Sequence, residues 1–343
     1  MKLLLPVFSF FLMAILSSVV GVDSAKSWQG NYFRSDGLFA FSHLIVLFIF
    51  LSVFFNHSWI SPLVFTVAIS TTLVSLGTLA EAFRLYVLKD ITLAGWGGAL
   101  GFTFGHPAYL NGFLMVTTPF LFYQIRISNR KYKWIWITFF ILQIFAIFST
   151  KSWAGLIILT LIFIFLLFKF FRKNFTNPKL IFFIFLVFTL LSIPVYMYKD
   201  REYRTKSFPY EGRERIVRKL LLSIRDRPIL GWGWANVDYA FKNSVWPYPV
   251  DFDVYVDKAH STLLEILTTM GFVGFTLYIL LLWQAYHFFQ IRISKEGQYS
   301  KFYETIFLSF LIYLFHSQTN IISINEELFF WMALGINNKD HGA

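Results

Sequence analysis

Apolar runs recur along this chain from end to end, each close to the roughly 20 residues that a helix needs to cross a bilayer's hydrocarbon core. They fall at about 3–22, 37–55, 59–80, 109–126, 133–149, 152–171, 180–198, 269–290, 302–318 and 326–337. Nothing else in the sequence constrains the fold as strongly. Hydrocarbon offers no partner to a backbone N–H or C=O, so a spanning segment must satisfy these groups itself. Runs of this length do so as helices, and the predicted class is all-α: a polytopic transmembrane protein of about ten spans. Composition agrees, because only 14% of the 343 residues are charged, against about 25% in a soluble domain. The 44 Phe and 11 Trp suit lipid-facing surfaces and interfacial belts. Met1–Val22 has the Lys-then-apolar order of a signal peptide. Its apolar stretch is long for one and further spans follow, so it is read as a retained first span.

Charge fixes the orientation. Arg126, Arg130, Lys131 and Lys133 form one basic cluster, Lys169, Arg172, Lys173 and Lys179 a second, and Arg292, Lys295 and Lys301 a third. All three fall on one side of the span order, and the positive-inside rule makes that side cytoplasmic. Both termini then lie inside, while 81–108 and the long hydrophilic stretch 199–261 lie outside. The net charge of +11 is thereby mostly an orientation signal rather than a nucleic-acid footprint. With no cysteine in the chain, disulfides, thiolate metal sites and Cys nucleophiles are excluded.

The outer loop divides by charge. From Lys199 to Arg227 it is basic, with Arg201, Arg204, Lys206, Arg213, Arg215, Arg218, Lys219, Arg225 and Arg227; beyond Trp234 it turns acidic and aromatic, with Trp246, Tyr248, Asp251, Asp253, Tyr255 and Asp257. Residues 211–225 carry an apolar stripe (Ile216, Val217, Leu220, Leu221, Ile224) opposite Arg215, Arg218, Lys219 and Arg225, and Pro228 stops the helix this predicts. Such a helix suits a membrane interface, apolar face down. Its cations fit anionic headgroups or a lipid-linked diphosphate equally in kind. His260 stands where the chain re-enters the membrane, with Asp257 three residues before it and Glu265 five after. A neutral imidazole there can serve as general base, or simply as an interfacial anchor. No His or carboxylate cluster has metal-ligand spacing.

Four motifs occur in order: Gly212-Arg213; Arg227-Pro228-Ile229-Leu230-Gly231-x-Gly233-x-x-Asn236; Ala259-His260-Ser261-x-x-Leu264-Glu265; and Gly271-Phe272-x-Gly274. Together they resemble the signature of the O-antigen ligase and O-antigen polymerase (Wzy-type) superfamily of multispan membrane proteins with one large outer loop. Upstream, Gly101-Phe102-Thr103-Phe104-Gly105-His106-Pro107 is similar to that family's Gly-Thr-Phe-x-Asn-Pro-Asn segment, and Ser149-Thr150-Lys151-Ser152-Trp153-Ala154 to its Ser-Arg-Gly-Ala hairpin, so the likeness covers about 95–336. Departures are Ser261 for Asn, Lys151 for Arg, His106 for Asn and Ala108 for the second Asn.

The resemblance implies two regions: N-terminal transmembrane helices over 1–90, and a ligase/polymerase-like membrane domain over 91–337 that includes the outer loop. It implies a bacterial plasma-membrane glycosyltransferase of surface-polysaccharide biosynthesis, working outside the cytoplasm without metal or other cofactor. Its partners would be an undecaprenyl-diphosphate-linked glycan donor, a glycan or lipid-linked acceptor and membrane lipids, but no nucleic acid. Arg213 would meet the diphosphate, supported by Arg215 or Lys151, and His260 would deprotonate the acceptor hydroxyl. Glu265 and Asp257 would complete the site, one of them orienting the imidazole. Polymerase, ligase, or more broadly surface-polysaccharide roles share this chemistry. A transporter or scaffold with Lys151, His316, Gln318 and Asn320 lining a path is the reading from another class.

Overall fold

Every apolar run that falls within the described residues of the computed structural model (2–89, 100–152, 212–246 and 255–338) folds as helix. The described helices are α1 (Leu4–Val19), α2 (Ser24–Gln29), α3 (Leu38–Phe54), α4 (Ile60–Tyr86), α5 (Pro107–Ile127), α6 (Arg130–Ser149), α7 (Arg213–Ile224), α8 (Val237–Asn243), α9 (Thr262–Lys295), α10 (Ser300–His316) and α11 (Ile324–Asn338). No strand occurs among the described residues. Three stretches, His57–Tyr86, Arg130–Ser149 and Thr262–Lys295, are long and apolar enough to cross a membrane, while α1 and α3 are apolar but shorter. The molecule is thus a helical protein of membrane type. The expected spans 152–171 and 180–198 lie outside the described residues, as do Arg201, Arg204, Lys206, Tyr248, Asp251 and Asp253.

The chain divides into two units, with boundaries inside α3 and α9. One unit comprises 50–178, 287–316 and 322–343, of which the described residues build α4, α5, α6, α10 and α11. Helix α5 packs against all four of the others. Association of apolar helices in lipid relies on close packing and on side-chain hydrogen bonds. Both are present: Gln143 Nε2 donates to the Leu114 carbonyl (2.5 Å) and Ser309 Oγ to that of Val116 (2.7 Å). Two ends of this unit can be told apart. Arg126 pairs with Glu304 (2.8 Å), and His57 approaches Glu296 (3.7 Å), so the α3–α4, α5–α6 and α9–α10 turns share one end. At the other, Glu81 takes the Gly101 amide (3.3 Å) and Tyr86 donates to the Ser149 carbonyl (3.1 Å). The α5–α6 and α9–α10 turns at the first end carry two of the three basic clusters, and the third, Lys169 to Lys179, lies outside the described residues.

The other unit comprises 2–49, the described part of 179–286, and 317–321. Here Phe10 meets Phe41 and Tyr278, and Phe41 stacks on Trp234 with centroids 4.7 Å apart. The long hydrophilic loop has a core of its own, in which Ile216 and Leu220 of α7 pack with Trp232, Val237, Ala240, Phe241, Val256 and Ala259.

Two expectations are corrected. The span expected at 269–290 begins earlier, at Thr262, and is interrupted: Gly271 has φ +65° and ψ −168°, so α9 is two helical pieces joined at that residue. The α7 helix buries its apolar face in protein rather than lipid. Lys219, expected on the polar side, is 2% exposed with Nζ 4.0 Å from the Phe241 ring centre, while Leu221, expected on the buried stripe, is 50% exposed. An aromatic face accepts an ammonium by cation–π attraction, so burial of that lysine is tolerated.

Candidate functional site

The break in α9 is filled by the Pro228–Gly233 segment. Ending a helix strands its last carbonyls, and starting another strands its first N–H groups. Here Trp232 N donates to the Thr268 carbonyl (3.0 Å) and Gly233 N to that of Thr269 (2.9 Å). On the far side of the break, Phe272 N donates to the Pro228 carbonyl (2.8 Å) and Val273 N to that of Ile229 (3.3 Å). The close approach explains the glycines. A Cβ on Gly231 would overlap the Thr269 carbonyl group and lie 2.5 Å from Met270 N; one on Gly271 would overlap the Ile229 carbonyl. Both residues also have positive φ. The Pro-Ile-Leu-Gly-x-Gly and Gly-Phe-x-Gly motifs are two halves of one interlock.

His260 sits at the corner leading into α9, with φ +55°, a left-handed conformation that histidine adopts more readily than most residues. The next residue caps the helix: Ser261 Oγ accepts from Leu264 N (3.4 Å) and donates to Gln318 Oε1 (3.0 Å). Thr262 N donates to the Ser317 carbonyl (2.8 Å), and Leu263 N to Gln318 Oε1 (3.4 Å). The departure at Ser261 therefore has a physical equivalence, since Ser and Asn are both preferred N-caps. His106 behaves likewise, its Nδ1 accepting from Ala108 N (3.1 Å) ahead of α5.

Arg213 opens α7, and its Nη1 donates to the Thr319 carbonyl (2.5 Å). Arg213 and His260, 47 positions apart, thus both belong to stretches fastened to the segment 317–319. Arg215 lies 5.8 Å from the Phe241 ring centre, and Arg218 pairs with Glu214 (3.1 Å). Lys151 belongs to the other unit, where its Nζ stands 4.0 Å from the Tyr86 ring centre and its φ is +53°.

The two carboxylates beside His260 are held by cations of this chain. Arg34 grips Asp257 through Nε (2.6 Å) and Nη2 (3.4 Å). Lys258 reaches both Asp36 Oδ2 (2.5 Å) and Glu265 Oε1 (2.6 Å), and Glu265 Oε2 also accepts from Ala259 N (3.4 Å). Burial opposes the charge on Lys258, but the Asp36 and Glu265 carboxylates outweigh it and hold the ammonium's pKa above the ordinary lysine value. Burial pushes the Asp36 carboxyl up, while the Lys258 charge and hydrogen bond, with the Asn31 amide, bring it below the ordinary aspartate value. Nearby, Lys26 pairs with Asp238, and the Asp23 hydrogen bond pushes the Tyr239 phenol up.

Sequence reasoning missed Arg34, Asp36, Lys258 and Thr319, and named Gln318 only for a transport path. Lys258 stands directly before a singled-out motif and was legible as a charge; nothing local marks Asp36 or Thr319. Of the residues proposed to line a transport path, Gln318 caps α9, and His316 Nδ1 lies 2.5 Å from Glu326 Oε1, both side chains fully buried. Among the described residues no group of three or more His, Asp or Glu side chains is arranged to hold a metal ion.

Comparison with known proteins adds one match. Residues 138–279 fit the family model described as O-antigen ligase, which supports the superfamily that the motifs resemble and, in general terms, an enzyme of glycan transfer. The match runs from α6 through the long hydrophilic loop to the α9 break and its following turns. Arg34, Asp36 and the 317–319 segment stand outside it. No curated protein matches the chain.

Proposed function

We propose, on the support that the O-antigen ligase match over residues 138–279 gives, that this chain transfers glycan from an undecaprenyl-diphosphate carrier on the outer face of the bacterial plasma membrane. The observation that carries this reading is the fastening of Arg213 and the His260 corner to one segment, Ser317–Thr319. Two motifs far apart in sequence then serve a single site. Arg213 occupies the first helical position of α7, where the positive end of the helix dipole adds to its own charge and favours an anion.

In the proposed step an acceptor hydroxyl oxygen bonds to the anomeric carbon while the carbon–oxygen bond to the diphosphate breaks. The bond's electron pair leaves with the diphosphate, whose charge Arg213 meets as a planar, permanently charged donor. The hydroxyl proton passes to a ring nitrogen of His260. Arg215, on the same helix as Arg213, supplies further positive charge to the carrier. Polymerisation and ligation share every one of these events and differ in the acceptor: another lipid-linked chain, or a lipid, protein or wall polymer.

Deleting the gene and analysing surface glycan separates the roles. Single repeat units in place of long chains indicate a polymerase, and full-length chains retained on the lipid carrier indicate a ligase. Unchanged glycan refutes both. In the purified protein, His260→Ala is expected to lower transfer by about 100-fold or more, the usual range for a lost general base, with membrane insertion intact; wild-type rates in that variant would remove His260 from the mechanism.

A further inference from the structure

The side chains of Asp36, Lys258 and Glu265 form a chain of charge that the transfer chemistry does not itself require. Asp36 precedes α3, in the N-terminal region outside both the family match and the motifs. Lys258 lies two residues before His260, and its ammonium is shared between the two carboxylates at 2.5 and 2.6 Å. Glu265 lies one turn into α9, and its second oxygen takes the amide of Ala259, the residue just before His260. The Arg34–Asp257 pair runs alongside, so positions 34 and 36 engage 257 and 258 in consecutive register.

These contacts converge on the backbone of His260. Its left-handed φ is strained for a residue other than glycine and persists only where the surroundings over-determine it. Here they do. On the N-terminal side, Lys258 and the Ala259 amide are tied to Glu265, which is itself part of α9; on the C-terminal side, Ser261 and Thr262 are tied to Gln318 and Ser317. Asp36 closes the system from outside by holding the other face of the Lys258 ammonium. It also offsets the burial cost, because a largely buried lysine against a single carboxylate keeps less of its charge satisfied than one against two.

We infer that Asp36, Lys258 and Glu265 are positioning residues for His260: a clamp, completed by the N-terminal segment, that fixes the turn from which the imidazole is presented to the acceptor hydroxyl. This rests on the reading of His260 as general base. It gives Glu265 a role in orienting the site through Lys258 and Ala259 rather than by touching substrate. It also makes the first helices a working part of the site, although no motif marks them.

The test is a set of full-length variants purified in detergent and assayed with lipid-linked glycan extracted from the source organism's own membranes. Asp36→Asn and Glu265→Gln keep shape and hydrogen-bonding capacity while removing one charge each. Both are expected to lower kcat about 10- to 100-fold, the scale of a misplacement near 1 Å, with KM for the donor unchanged. Lys258→Met should do the same, and Lys258→Arg, which can bridge two carboxylates, should recover most of the rate. The decisive measurement is the combination with His260→Ala. If the clamp acts through His260, Asp36→Asn costs nothing further in that background, because residues acting as a unit are not additive. An equal loss with and without His260, a loss confined to KM, or a wild-type kcat in both charge-removing variants would overturn the inference. A His260→Ala enzyme at full rate would instead overturn the catalytic reading beneath it, so the two failures are distinguishable. If Asp36→Asn does not yield monodisperse protein, the same pair of backgrounds is read with Glu265→Gln.

Discussion

Replacing Gly231 by alanine tests the interlock that shapes the site, and Gly105 provides its control. Both glycines have nearly the same positive φ, +73° at Gly231 and +71° at Gly105. Their surroundings differ completely. A Cβ on Gly105 meets nothing within 4 Å, whereas one on Gly231 runs into the Thr269 carbonyl and stands 2.5 Å from Met270 N, all backbone atoms that cannot swing aside. Gly105→Ala should therefore cost only the left-handed strain, about 1–2 kcal/mol. Gly231→Ala should cost that plus displacement of the 228–233 segment from the α9 break, where four backbone hydrogen bonds cross. At about 0.5–1.5 kcal/mol each, and with some of the four surviving by relaxation, the total reaches about 3–6 kcal/mol. The assay is thermal unfolding of detergent-purified protein, followed by loss of the monodisperse peak in size-exclusion chromatography, for wild type and both variants. Equal destabilisation by the two alanines would refute the interlock, because it would show that the strain alone accounts for the effect.

Other consequences are more direct. Arg213→Lys keeps the charge and loses the planar fork, so transfer should fall by about tenfold or more if two-point contact with the diphosphate matters; a rate equal to wild type removes that contact. Because the chain has no cysteine, single cysteines report sidedness cleanly. Tyr32→Cys, at a position 92% exposed, should react with a membrane-impermeant maleimide in intact cells, and Tyr132→Cys, at 52%, only after permeabilisation; the opposite pattern refutes the orientation. The clamp also predicts a pH window. Asp36 has its pKa lowered in the folded state, so its contribution is present above its ordinary value of 3.8 and lost as pH falls through the folded value. Lys258 has its pKa raised from 10.5, so its contribution is full below that value and lost only as pH rises beyond it. Thermal stability of the wild type should thus decline toward the acid end more steeply than that of Asp36→Asn, and parallel profiles would count against the pair.

Much of this protein is written locally. Helical class follows from run length, because hydrocarbon enforces internal hydrogen bonding whatever the neighbours are. The turn glycines at 231 and 271 and the cap at Ser261 are also legible, because left-handed backbone and helix starts have strong residue preferences. The ordered motifs pointed to the glycan-transfer superfamily that the match over 138–279 supports. What local pattern lacks is the identity of a partner. Arg34 and Asp257 are 223 positions apart, and a lone arginine or aspartate carries no record of the group it will meet. The same limit explains α7. Its helical period was correct, but whether Lys219 points to water or to an aromatic ring depends on Phe241, which comes from another helix. It explains Glu265 as well, whose position five residues after His260 gives no sign that its carboxylate meets Lys258. Sequence alone determined which segments are helical and where they must turn. Tertiary structure decided which charges are spent on holding His260 in place, because electrostatic partners are chosen by proximity in space and not along the chain.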